Sequence, residues 1–257
     1  RRLLPCALFA VFDGHEGPET AEFASCVLHH HLLHVYPNLG TRPSSERASA
    51  DRDEIERCFR ALTESFARTD QEALKQARSH NWKGGCTGTA VLLVGRDVYC
   101  ANVGDTEAVL ARCDSNGRYR MCKMSTIHRP TVPAERSRIT QAGGRVVFGR
   151  VMGSLTLSRA FGYRAFKRPF NKASGDFVTA LPTISHHLLQ PSEFIVVATQ
   201  SFWEVVSANQ AVSISAREKA TGVGPQRLAQ LLLQTAVDRG CASNITVIVV
   251  YQHAFAH

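Results

Sequence analysis

Residues 87–112 read TGTAVLLVGRDVYCANVGDTEAVLAR, and they give the clearest indication of the fold. Three runs rich in Val, Leu and Ala are separated by two-residue breaks, Gly95-Arg96 and Gly104-Asp105. Apolar runs of strand length joined by short glycine turns are typical of hairpins. The pattern therefore predicts three strands of an antiparallel meander, at 87–94, 97–103 and 106–112.

Outward from this stretch, the period of the apolar residues changes to that of helices. An apolar run at 7–12 predicts a strand, and Gly17-Pro18 predicts the start of a helix that continues to Val35. Apolar positions from Ile55 to Ala73 predict a second helix. Further helices are predicted at 134–142, 202–219 and 225–239, and further strands at 194–199 and 244–251. This order predicts an α+β fold with two packed antiparallel sheets flanked by helices.

Two segments lack periodicity. The polar stretch 37–53 predicts a loop, and residues 163–177 predict a surface excursion, here called the flap. The sequence has no internal repeats and no clear linker, so we expect residues 1–257 to form a single domain.

Composition narrows the classes of function. The chain of 257 residues is 44% hydrophobic and has a net charge of +8, which suits a large globular domain. The basic residues are scattered and are not interleaved with aromatics, so no nucleic-acid surface is predicted, although attraction to acidic or phosphorylated proteins stays open. No run approaches the roughly 18 apolar residues of a membrane span. We expect a monomer.

The cysteines favour an intracellular, cytoplasmic protein. Eight are present without a Cys-x-x-Cys pair, and Cys26 and Cys100 lie in apolar patterns that predict buried thiols. Residues 1–12 combine charge with a short apolar run but lack a cleavage pattern, so no signal peptide is predicted.

Ten blocks, in the same order, resemble the type 2C metal-dependent protein phosphatases. They are residues 9–15 (FAVFDGH), 87–90 (TGTA), 102–106 (NVGDT), 128–130 (HRP), 142–144 (AGG), 149–151 (GRV), 153–162 (GSLTLSRAFG), 180–182 (ALP), 194–203 (FIVVATQSFW) and 244–246 (NIT). The resemblance implies a four-layer α-β-β-α sandwich with an active site at one edge of the two sheets. In active members, two Mg²⁺ or Mn²⁺ ions bridge a water that attacks phosphoserine or phosphothreonine.

The first block keeps the site residues that the resemblance implies. Asp13 matches the metal-bridging aspartate, Gly14 the glycine whose carbonyl binds one ion, and His15 the proposed general acid. In isolation, the same three residues would fit a simple turn between a strand and a helix.

Other ligand positions differ from the family. Gln200 and Ser243 stand where the core site has aspartates, and Ile127 and Tyr163 stand at positions near an accessory metal. Glu204 keeps a carboxylate near that accessory position, but we expect it and Glu16 to face solvent. A further family block, with a phosphate-binding Arg and a Glu-Asp pair, is expected upstream of the Asp-Gly-His strand and is missing from this sequence.

Electrostatics decides between two functions. Each lost charge pair at about 4 Å is worth roughly 4 kcal/mol at an effective dielectric of 20, so neutral side chains at two core positions cannot hold two ions. We therefore expect at most one weakly bound Mg²⁺ or Mn²⁺ and a pseudophosphatase that binds a protein or phosphoprotein through the flap and residues 38–52. The alternative is an active or weakly active Mg/Mn-dependent phosphatase.

A histidine cluster offers one more candidate metal site. His30 and His34 are spaced i, i+4 on the predicted first helix, beside His29 and His31. Zinc sites are normally closed by three or four ligands, and no acidic or cysteine partner is apparent in the sequence nearby. A solvated helix face is the preferred interpretation.

Overall fold

A computed structural model describes residues 2–3, 5–37, 41–42 and 52–251. Most of the predicted 37–53 loop, at 38–40 and 43–51, lies outside the described residues. The strands are β1 (Arg2–Leu3), β2 (Cys6–His15), β3 (Thr41–Arg42), β4 (Gly85–Val94), β5 (Asp97–Val103), β6 (Glu107–Cys113), β7 (Tyr119–Lys123), β8 (Val146–Val147), β9 (Arg150–Val151), β10 (Phe161–Gly162), β11 (Thr183–Leu188), β12 (Phe194–Ala198) and β13 (Val247–Tyr251). The helices are α1 (Glu19–Val35), α2 (Arg52–His80), α3 (Pro133–Gln141), α4 (Gln200–Val205), α5 (Ala208–Ala220) and α6 (Pro225–Asp238), with a 3₁₀ turn at Arg164–Phe166 in the flap.

Two antiparallel sheets form the centre of the fold. In the first sheet β4 pairs with β2, β5 and β10, and β11 pairs with β5. In the second sheet the order is β13-β12-β6-β7. Helices α1 and α2 cover the first sheet, and α5 and α6 cover the second. The predicted four-layer α-β-β-α sandwich is confirmed.

Strand β4 shows why the core has three layers. All ten of its residues are buried. Ala90 and Leu92 pack toward α1 and α2, whereas Val91 and Leu93 pack between the sheets. Alternate residues of a strand face opposite sides, so a near-continuous apolar run is what burial on both faces requires.

The predicted hairpin between β5 and β6 is wrong. Strand β5 pairs with β4 and β11, but β6 pairs with β7 and β12 in the other sheet. The chain crosses between the sheets at Gly104, whose φ is +90° and where a Cβ would overlap the Thr87 side chain. Glycine at this break serves a close crossing of the backbone, which has the same sequence signature as a tight turn.

The predicted helix at 202–219 is two helices. Val206 is extended, and Ser207 caps α5 by accepting from the backbone N–H of Gln210, whose side chain accepts from the Ser207 N–H. Such a reciprocal capping box starts a new helix. Strand β7 was not predicted, and the final strand begins at Val247 instead of Asn244.

Two smaller expectations have different outcomes. Cys100 is buried as predicted, but Cys26 is exposed. None of the described helices has the length and apolar character needed to traverse a lipid bilayer.

Candidate functional site

Strand ends from both sheets converge at one edge of the sandwich, here called the sheet edge. In the first sheet Asp13 pairs with Thr87, near the end of β2. In the second sheet Ala198, the last residue of β12, lies opposite Glu107 and Val247. The β5–β6 crossing joins the two groups, because Thr87 Oγ1 hydrogen-bonds to Thr106 Oγ1.

The Asp13-Gly14-His15 segment forms the first part of this edge. The His15 ring Nδ1 lies 3.0 Å from the Asp13 carbonyl oxygen, which fixes the imidazole close to its own backbone. A Cβ on Gly14 would lie 2.9 Å from the Gly17 carbonyl oxygen, so the turn is too tight for a side chain. Burial raises the pKa of the half-buried Asp13 carboxyl, and the nearby His15 opposes that rise.

Asp105 is a further candidate site residue, one that the sequence did not predict. Its side chain is buried, with the residue only 9% exposed, and its Oδ1 atom has no hydrogen-bond partner among the residues that the structure describes. Burial raises the pKa of this carboxyl against the opposing charges of His15 and Arg129, and the Asp13 charge adds to the rise. The Asn-x-Gly-Asp block held the signal that could have identified it.

Gln200 hydrogen-bonds to the β5–β6 crossing and to the segment that follows β7. In the amide orientation that satisfies both contacts, its nitrogen donates to the Asp105 carbonyl oxygen at 3.1 Å. Its oxygen accepts from Arg129 Nη2 at 3.2 Å. A guanidinium therefore lies directly against Gln200, which the family resemblance places at an expected core ligand position.

His128 holds the Arg129 segment in place. Its Nδ1 accepts from the Gly104 N–H at 3.2 Å, and its Nε2 lies 2.8 Å from Thr183 Oγ1. Burial lowers the pKa of His128 to about 4, which keeps the ring neutral near pH 7. His128 is thus a structural residue, and Arg129 itself is exposed.

Ser243 lies exposed just before β13. The neighbouring Asn244 carbonyl accepts from Ser201 Oγ at 2.6 Å, which joins this segment to the start of α4. Ser243 therefore lies at the same end of the second sheet as Gln200.

The residues at the expected accessory positions differ in their burial. Tyr163 is buried in a left-handed conformation with φ of 49°, and burial raises its pKa with contributions from Glu16, Cys86, Asp105 and Asp13. Tyr163 therefore lies near the retained acids. Ile127 is half-buried, and Glu204 and Glu16 are exposed as expected.

The donors present do not fit a pair of divalent ions. Among the described residues, no three His, Cys, Asp or Glu side chains are grouped so that they could hold a metal. Hard divalent cations need several carboxylate oxygens, and here an amide and a hydroxyl stand in two of the positions. The histidine cluster is also no complete site in this part of the chain: His31 contacts Thr69 and Glu72, at 2.9 and 3.2 Å.

Behind the flap, buried charges are paired. Lys167 is only 1% exposed, and its Nζ donates to both carboxylate oxygens of Asp70 at 2.6 and 2.7 Å and to the Ala160 carbonyl at 2.8 Å. Asp70 also accepts from the Gly162 N–H at 2.8 Å. Burial alone would raise the pKa of Glu135, but Arg159 and Arg138 lower it to about 2.

Comparisons with known proteins agree with this architecture. The chain is 37% identical to the Integrin-linked kinase-associated serine/threonine phosphatase 2C of Bos taurus, covering 94% of this chain and 65% of that protein. It is 33% identical to Protein phosphatase 2C homolog 3 of Schizosaccharomyces pombe, covering 96% of this chain and 56% of that protein. The chain thus spans less than two thirds of the length of these relatives.

Solved structures share the fold. The crystal structure of serine-threonine phosphatase 2C from Toxoplasma gondii superposes with a TM-score of 0.80 at 22% identity, covering 96% of this chain and 84% of that one. A C. elegans sex determining protein gives a TM-score of 0.73 at 23% identity, covering 96% of this chain and 56% of that one. Residues 2–245 match the sequence model of the family Protein phosphatase 2C. The chain therefore belongs to the protein phosphatase 2C family.

Proposed function

We propose that this serine/threonine phosphatase 2C-type domain is a pseudophosphatase that serves as a protein-binding scaffold or regulator. The observation that carries the proposal is the contact between Gln200 and Arg129 at 3.2 Å. Members of the family generally depend on Mg²⁺ or Mn²⁺ and act on phosphoproteins. Here a fixed cation lies against a neutral amide at a core ligand position.

Charge explains why hydrolysis is lost. Two adjacent dications repel each other, and only several carboxylates between them offset that repulsion. Gln200 and Ser243 supply no charge, and Arg129 adds a positive one. At most one divalent ion, weakly held through Asp13 and the Gly14 carbonyl, is compatible with this set.

A manganese-dependent phosphatase assay tests the proposal. The longest form of the protein that contains this domain would be incubated with phosphoserine and phosphothreonine peptides and Mn²⁺, beside its Asp13→Ala variant. We expect the wild type to release no more phosphate than the Asp13→Ala variant. Release that depends on both Mn²⁺ and Asp13 would establish an enzyme instead.

The alternative is an active phosphatase with a weakened site. It is favoured by the buried Asp105 carboxyl, which lies near Asp13 and His15. Its Oδ1 atom has no hydrogen-bond partner among the described residues. An upstream segment with further acids would complete such a site. Manganese titration by calorimetry separates the two functions, because an active enzyme binds two ions per domain.

The flap is the first proposed contact surface. A groove between it and α2 is lined by Gln71, Leu74, Arg168, Lys172 and Leu181 among others. The partner is a protein or phosphoprotein, and the names of the integrin-linked kinase-associated relatives make a kinase one candidate. We further propose a cytoplasmic monomer, since the eight cysteines lack a Cys-x-x-Cys pair.

A further inference from the structure

A short hairpin beside the sheet edge presents an aromatic ring to solvent. Strands β8 and β9 pair Val146 with Val151 and Val147 with Arg150, and Phe148 lies at the turn between them. Phe148 is 97% exposed and has a left-handed φ of 51°. A bulky residue held in that conformation is uncommon and strained, so such an outlier suggests a functional constraint.

Other apolar side chains surround Phe148. Val147 and Met152 are also exposed, and Met152 has a left-handed φ of 51° as well. The Met152 sulfur accepts from the Arg145 N–H at 3.3 Å, which holds the base of the hairpin. On the other side, Val132 is exposed beside Thr131, against which the turn glycine Gly149 packs.

The same region is strongly basic. Between residues 124 and 162 the sequence has six arginines and a single acid, Glu135. Glu135 is buried and already bound by Arg138 and Arg159. The exposed Arg129, Arg136, Arg145 and Arg150 have no carboxylate within ion-pair distance in the described parts of the chain.

We infer that this hairpin surface, formed by Val147, Phe148 and Met152 with Arg145 and Arg150, binds an acidic segment of a partner protein. The segment carries an apolar side chain that covers Phe148, and its carboxylates pair with the arginines. The inference goes beyond the proposed loss of catalysis and does not depend on it, because it is tested by binding and not by activity.

The composition of the surface favours a protein over a nucleic acid. Aromatic residues, Met and Arg are the residues enriched at protein interfaces, and a central aromatic residue with surrounding polar contacts is typical of a hot spot. Nucleic-acid affinity would instead come from phosphate contacts, to which the exposed valines contribute nothing. Complementary charge also requires an acidic partner, since the surface has no free acid of its own.

A displayed library of random 12-residue peptides is a direct probe. Peptides selected on the wild-type domain would be synthesised with a fluorescent label and titrated by anisotropy against the wild type and variants. We expect selected peptides to combine Asp or Glu with a Leu, Phe or Trp. Phe148→Asn should weaken their binding roughly tenfold or more, since hot-spot truncations have effects of that size.

Matched variants separate the two parts of the surface. Arg145→Gln with Arg150→Gln should weaken binding roughly threefold to tenfold and flatten its salt dependence. Leu233→Gln, at an exposed apolar residue of α6, should leave binding unchanged. Asn tolerates a left-handed φ, so Phe148→Asn keeps the hairpin folded, which far-ultraviolet circular dichroism would verify.

Four outcomes would overturn the inference. They are a selection that yields no binders, peptides without acidic residues, peptides that bind Phe148→Asn as tightly as the wild type, and binding of a 20-nucleotide DNA that the arginine variants weaken but Phe148→Asn does not. Sedimentation of the domain alone also decides: a dimer that Phe148→Asn dissociates would make the surface a self-association face instead.

Discussion

The charges behind the flap and the charges at the sheet edge follow opposite patterns. Behind the flap, Asp70 has Lys167 and the Gly162 N–H as partners, and Glu135 has two arginines. At the sheet edge, Asp105 is buried with a carboxylate oxygen that has no hydrogen-bond partner in the described part of the chain. One region has kept its ion pairs, and the other has neutral residues among its acids.

The difference separates what the fold needs from what catalysis needs. A buried charge without a partner destabilises a fold, whereas a paired one is tolerated. Acids gathered for metal ions repel each other when no ion is bound, so Gln200 and Ser243 relieve the sheet edge of that repulsion. Under the proposed loss of catalysis, the domain keeps the charges that hold its scaffold and lacks those that a pair of metal ions requires.

The largest predicted effect comes from breaking the ion pair between Lys167 and Asp70 behind the flap. Lys167→Met should destabilise the domain by about 3–5 kcal/mol, because it leaves Asp70 buried beside the flap without its cation. Urea unfolding followed by fluorescence would measure this loss. Lys172→Met, at an exposed lysine of the same flap, is the control. A loss below about 1 kcal/mol would show that the pair does not anchor the flap.

The next effect concerns His128, a buried neutral histidine near the sheet edge. The pKa of His128 is about 4 in the fold against 6.5 in the unfolded chain, so the unfolded state takes up its proton first as pH falls. Stability from this residue is complete above pH 6.5 and is lost toward pH 4, by roughly 2–4 kcal/mol.

His128→Gln tests this window, since Gln can still hydrogen-bond to Gly104 and Thr183 without titrating. Denaturant unfolding at steps from pH 7 to pH 4 would compare it with the wild type. The variant should lose less stability over that range. Parallel pH curves for the two proteins would contradict a depressed pKa.

A smaller effect is predicted when carboxylates are introduced at the sheet edge. Gln200→Asp with Ser243→Asp should create a metal-dependent domain, which saturating Mn²⁺ at 100 times its Kd stabilises by about 2.7 kcal/mol. Thermal melts with and without Mn²⁺ would measure this shift, beside the neutral control Gln200→Asn with Ser243→Asn. Equal melts for both double variants would count against the assignment of these two positions.

The smallest predicted effect concerns the backbone strain at Phe148. Phe148→Asn should stabilise the domain by about 0.5–1 kcal/mol, since Asn tolerates the left-handed conformation that Phe148 adopts. Calorimetry should show a rise in Tm of about 2–4 °C for each kcal/mol at this chain length. Phe170→Asn, at an exposed phenylalanine outside that conformation, should give no such rise.

The sequence predicted the layers of the fold because its apolar runs and its ten blocks are local patterns. The positions of Asp13 and His15 at a strand end followed from the same patterns. It could not show that Arg129 contacts Gln200, 71 residues later, since that contact depends on how the two sheets pack. The β5–β6 crossing was missed because a glycine break at Gly104 has the same signature in a crossing as in a hairpin.

The bond from the Gly162 amide to Asp70 has a mechanical consequence. Asp70 belongs to the long helix α2, and Gly162 directly precedes Tyr163 at the sheet edge. This hydrogen bond joins α2 directly to the backbone at the sheet edge. Any shift of α2 that preserves this bond must therefore move the backbone beside Tyr163 with it.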